Sequence, residues 1–186
     1  MDDERCALDL ALDDYRRRWP TETSVGEFSE FLASATDVFK RSHTIGHFTG
    51  SAWLVSTDGS RVLLTHHRKL GMWLQLGGHA DGDTDLARVA LREAEEESGL
   101  VGISVEHDIF DLDRHRIPAR GTDPEHWHYD VRYVVRAGAN EAFIVGDESH
   151  DLAWREIVEV AMDESADSSV RRMAGKWLQR SKARNA

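Results

Sequence analysis

The run Asp85–Ser98 contains neither glycine nor proline, is rich in Ala, Leu, Arg and Glu, and is followed at once by Gly99. This composition predicts a helix with a glycine at its C-terminal end. At about 100° per residue, Glu93, Glu96 and Glu97 fall within one arc of that helix, and Glu95 points the other way. Like charges at these spacings repel by roughly 0.2–0.5 kcal/mol per pair. The negative end of the helix dipole lies in the same turns and adds to the conflict. Arg92 stands at helical spacing from Glu96 and can neutralise one carboxylate, while Val89, Ala90 and Leu100 supply no base. Two readings are open: a solvated glutamate face, or a site for a divalent cation, for which Mg2+ with its preference for oxygen ligands is suited.

The residues upstream decide between them. The segment Gly77-Gly78-His79-Ala80-Asp81-Gly82-Asp83-Thr84-Asp85 leads into the helix. The whole resembles the signature of the Nudix hydrolases: Gly, five residues, Glu, seven residues, Arg-Glu, an aliphatic residue, one residue, Glu-Glu, one residue, Gly, aliphatic. Gly78, Arg92, Glu93, Glu96, Glu97, Gly99 and Leu100 stand in register, and Ala94 fills the inner aliphatic place. The departure is Thr84, where the family has its first Glu. Asp83 or Asp85 is a substitute for that Glu, or Thr84 caps the helix; the cap is the favoured reading.

The resemblance implies an α/β/α sandwich with a mixed sheet. It implies a metal-dependent hydrolase of a diphosphate linkage, often in a nucleoside diphosphate derivative. By position, Glu93, Glu96 and Glu97 would bind Mg2+ or Mn2+, with the Gly78 carbonyl as a further ligand, and Arg92 would orient a box glutamate. Glu96 is the first choice of catalytic base, and Glu148, a glutamate outside the box, is the next. Dimers are frequent in the family, so a homodimer is one assembly it implies. Two alternatives remain on the same fold: a catalytically idle module that binds a nucleotide or metabolite, and an isoprenoid-diphosphate isomerase, which needs a cysteine or second acid near the site.

Elsewhere the pattern is of strands interleaved with helices, an α/β class chain. A helix is predicted over 5–18, ended by Pro20, and a second from Thr23 or Ser24, with Ser24 and Glu27 as a capping box and Phe28, Phe31, Leu32, Val38 and Phe39 on its buried face. Strands are predicted at 52–56 and 61–65 around the turn 57–60, at 101–112, at 127–136 and at 152–154. The stretch 114–125, with two prolines and a glycine, reads as a surface loop, and 164–180 as a final helix. This divides the chain into an N-terminal helical extension (1–45), a Nudix-type domain (46–181) and a frayed tail (182–186).

Further candidates for contacting substrate are His66 and Arg68 in a basic cluster, Gln75 just before the glycines, and His79 just after Gly78. His126 and His128 project the same way from a strand and suit a shared metal or a phosphate. The chain holds 23 Lys plus Arg against 34 Asp plus Glu, a net charge of −11, which disfavours a nucleic acid polymer or an anionic membrane as partner. A small anionic diphosphate is the expected partner, attracted through a metal. Cys6 is the one cysteine, so no internal disulfide forms. No apolar run reaches the ~20 residues that span a bilayer, and the acidic start lacks a secretion signal, so the expected location is the cytoplasm.

Overall fold

A computed structural model describes residues 2–68, 71–145 and 149–184. Two helices come first, α1 (Asp2–Arg18) and α2 (Val25–Ser34). Strands β1 (Gly46–Val55), β2 (Arg61–His67), β3 (Met72–Leu74) and β4 (Leu76–His79) follow, then α3 (Leu86–Ser98). The chain continues through β5 (Ser104–Ile117), β6 (His126–Arg136), β7 (Ser149–Glu156), α4 (Ile157–Met162) and α5 (Ser168–Arg184).

The strands form one mixed sheet in the order β3-β2-β1-β6-β5, with β4 pairing β1 and β7 pairing β2. β1 runs parallel to β6 and antiparallel to β2 and β4. Alternation along each strand sends residues to opposite faces. Phe48, Ala52 and Leu54 of β1 join Tyr129, Val131 and Tyr133 of β6 in a core covered by α1, α2 and α3. Trp53, Val55, Val62 and Val134 belong to a second core under α4 and α5. This is the α/β/α sandwich. The second core fills only part of its face. Further along β1 and β6 the same side carries His47, Thr49, Ser51, His128, Asp130 and Arg132, and this polar stretch borders the site.

Several elements differ from the sequence reading. β1 starts at Gly46, because His, Thr, Gly and Ser give little apolar signal although each pairs with β6 or β4. β5 runs through Ile117, where a loop was expected from Arg114; its last residues stay paired up to His126, and the turn is confined to 118–125. The final helix read over 164–180 is α5, starting at Ser168, and the short helix α4 before it carried no separate sequence signal. The capping box at Ser24 does not form, since its side chain makes no cap hydrogen bond. Val38 and Phe39 are buried, but from the segment after α2 has ended. The N-cap of α3 is Asp85, not Thr84: the Asp85 side chain accepts from the Arg88 N–H. Among the described residues no helix is long and apolar enough to cross a membrane.

Candidate functional site

At the other end of α3, Gly99 takes φ 67°, a left-handed conformation that costs a glycine little, and its N–H donates to the Glu95 carbonyl. The helix buries Leu86, Ala87, Val89, Ala90 and Ala94. That face fixes its rotation, so Glu93, Glu96 and Glu97 turn together toward β4. They line a cavity of about 1050 Å³. The Gly77 N–H donates to Glu97 Oε1 at 3.2 Å. Gly78 lies against the Glu93 carboxylate: a Cβ built there would come 2.5 Å from Glu93 Cδ.

Arg92 does not meet Glu96. Its guanidinium donates to Glu93 Oε1 at 2.9 Å and to the His79 carbonyl at 3.1 Å, tying α3 to β4. Burial pushes the Glu93 carboxyl up and outweighs the opposing pull of Arg92, with Glu96 adding to the rise. A buried, crowded carboxylate of this kind is relieved by a nearby cation. The donor set fits Mg2+ or Mn2+: hard carboxylate oxygens on one helix face beside the Gly78 backbone.

The opposite wall is built from β1 and β6. Thr49 Oγ1 and Ser51 Oγ donate to Asp130 Oδ1 at 2.9 and 2.7 Å. Arg132 Nε donates to Asp130 Oδ2 at 2.7 Å, and Gln75 Nε2 donates to the same oxygen at 3.3 Å. Arg132 continues to Asp111 and Asp113, which also receive Arg172 of α5, and Lys176 reaches Asp111 at 2.6 Å. These residues of β1, β5 and β6 form a covered charge network, with Asp111, Asp130 and Arg132 at 2% exposure or less.

The cavity brings together Gly78, Gln75, His79, Arg92, Glu93, Glu96, Glu97 and His128 from the sequence-derived candidates. His66 and Arg68 do not line it; His67 does, because neighbouring side chains on β2 alternate faces. His126 stands beside His128 outside the lining. Glu148 lies outside the described residues. Cys6, the thiol an isomerase reading would call on, is exposed on α1. The lining also includes Asp83, weighed as a substitute for the first Glu, and Arg41, Asp81, His115 and Pro118, which the sequence did not mark as contacts. Asp83 pairs with Arg88 at 2.5 Å, and Arg41 holds Asp81 at 2.6 Å. Burial holds the imidazoles of His47 and His128 below their ordinary range, at about 4 and about 2, with neighbouring imidazoles adding to the effect.

A family model described as the NUDIX domain matches residues 47–174. No curated protein matches the chain. Among solved structures, the chain is similar to an Ap4A hydrolase of C. elegans in a binary complex, with 14% identity and a TM-score of 0.58 over 73% of this chain and 98% of that one. A MutT protein from Methanosarcina mazei Go1 aligns with 18% identity and a TM-score of 0.55 over 73% and 94% of the two chains. A NUDIX-family hydrolase from Clostridium perfringens aligns with 21% identity and a TM-score of 0.50 over 72% and 96%. The three share the sandwich. The family match spans the sheet, α3, α4 and the first part of α5, and it places this chain in the Nudix hydrolase family.

Proposed function

We propose that the chain hydrolyses a diphosphate linkage in a small anionic molecule, such as a nucleoside diphosphate derivative, with Mg2+ or Mn2+ as cofactor. One observation carries the reading: Glu93, Glu96 and Glu97 converge on a single cavity beside Gly78. Glu93, Glu96, Glu97 and the Gly78 carbonyl would hold the ion. Bound there, it would offset charge on the phosphate oxygens and lower the pKa of a coordinated water. The ion also answers an electrostatic problem, since a chain of net charge −11 otherwise repels its substrate.

The chain's own residues do the rest. A water oxygen attacks one phosphorus, the bond from that phosphorus to the bridging oxygen breaks, and the leaving phosphate takes the electron pair. Glu96 accepts the proton of the attacking water. Arg92 keeps the Glu93 carboxylate against Gly78 and fixes the β4 backbone through the His79 carbonyl. Gln75, His79 and His128 face the cavity and would contact the substrate.

Glu97→Gln tests the reading. The amide oxygen can still accept from the Gly77 N–H, so the fold should persist, while the carboxylate charge is gone. Assayed on a panel of diphosphate compounds with Mg2+ and Mn2+, the wild-type chain should release phosphate-bearing products, and the variant should lose at least about 100-fold in rate. Ligand binding by the wild-type chain without turnover would instead support an idle binding module.

A further inference from the structure

His47, His126 and His128 each bring a ring nitrogen to within 4.8 Å of the others. The sheet register creates this juxtaposition. His47 on β1 sits directly beside His128 on β6, and His126 is on the same strand and face as His128. The ring centroids are 4.9 Å apart for His47 and His126, 4.8 Å for His47 and His128, and 5.2 Å for His126 and His128.

The hydrogen bonding is unusual for buried imidazoles. His47 is 3% exposed, and neither of its ring nitrogens has a partner among the described residues. The buried Nε2 of His128 also has none. Buried polar groups are almost always hydrogen-bonded, so a cluster of unpartnered ring nitrogens calls for a ligand. His126 differs: its Nδ1 lies 2.8 Å from the Pro124 carbonyl. That bond puts the proton on Nδ1 and leaves the Nε2 lone pair free, the way a metal-bound histidine is commonly oriented by its second nitrogen.

We infer that His47, His126 and His128 form a second metal site, separate from the α3 glutamates, for a divalent transition ion of the zinc class. Imidazole nitrogens suit Zn2+, Co2+ and Ni2+, whereas Mg2+ demands oxygen. Burial favours neutral rings at His47 and His128, which a metal needs as ligands and which would attract a phosphate only weakly. Ligands of a tetrahedral zinc stand about 3.4 Å apart, so the rings must close in by about an ångström, a movement that side-chain rotation can supply. Three protein ligands leave a fourth position for water or a substrate oxygen. His128 also lines the cavity, so the second ion would adjoin the proposed diphosphate site.

The test is Co2+ titration of the tag-free, metal-stripped full chain, read by visible absorption. Tetrahedral nitrogen-ligated Co2+ absorbs intensely, whereas Co2+ held by the glutamates as an octahedral oxygen complex absorbs weakly. The wild-type chain should develop the intense band, lose it on adding Zn2+, and keep it in excess Mg2+. His126→Ala and His128→Ala should each abolish the band, and Glu97→Gln should retain it. X-ray absorption of the zinc-loaded wild-type chain provides a measure that needs no folded variant, and it should show imidazole nitrogens at about 2.0–2.1 Å. Absence of the band in the wild-type chain, its persistence in both histidine variants, or a zinc shell of oxygen only would overturn the inference. Because these readouts are independent of turnover, they separate this site from the hydrolase reading.

Discussion

Gly77 and Gly78 stand side by side and carry different constraints. A Cβ at Gly77 would come 2.8 Å from Ser51 Cα, a backbone atom that cannot step aside. Gly77→Ala should therefore destabilise the fold by about 1–3 kcal/mol, visible as a lower melting temperature. A Cβ at Gly78 meets the far end of the Glu93 side chain, which can move. Gly78→Ala should melt near the wild-type temperature yet lose about 100-fold in turnover, because Glu93 is displaced from its place. Equal melting temperatures for the two variants would contradict this division. Gly78, Arg92 and the glutamates were legible from spacing within one helix and the loop before it. Asp130 lies within a predicted strand, but its partners Thr49 and Ser51 are 81 and 79 residues away, and no local pattern links them.

At the scale of elements, α5 is fastened to β5 by charge and to the sheet by Val170, Met173 and Trp177. Asp113 is a measurable part of that fastening. Burial raises its carboxyl, but the hydrogen bond to His115 and the nearby Arg132 and Arg172 outweigh burial and hold it well below the usual carboxylate range. A carboxyl with a lower pKa folded than unfolded binds fewer protons in the native state. Its stabilisation is complete above the unfolded pKa of about 3.9 and is lost as pH falls toward the folded value. The urea midpoint of the wild-type chain should thus fall below about pH 4. Asp113→Asn should start lower at neutral pH and fall less steeply in acid; parallel curves would show that Asp113 does not carry this dependence. The reading of 114–125 as a loop failed over 114–117 for a physical reason. Proline and glycine at 118, 121 and 124 mark a turn, while pairing across the sheet keeps its approach extended up to Ile117.

For the molecule as a whole, the N-terminal helices and the sheet share one core. Phe31 of α2 stacks on Tyr129 of β6 with ring centroids 3.8 Å apart, and Phe28 meets the same ring edge-on at 5.4 Å. Phe31→Ala should cost about 3–5 kcal/mol and should lower the midpoint of a single cooperative transition. Two transitions, with the one for the sheet unmoved, would show instead that the helices fold separately.

The helix of carboxylates, its glycine stop and the turn before it follow from short-range periodicity and backbone preference, so spacing alone reveals the family and the oxygen-rich half of the site. The nitrogen-rich half is a different matter. His47 meets His128 only because β1 and β6 pair in parallel at one register, and His67 rather than His66 reaches the cavity only because of which face of β2 is packed. Strand register is set by burying two apolar faces at once, a condition spread over the entire chain that no window of neighbouring residues contains.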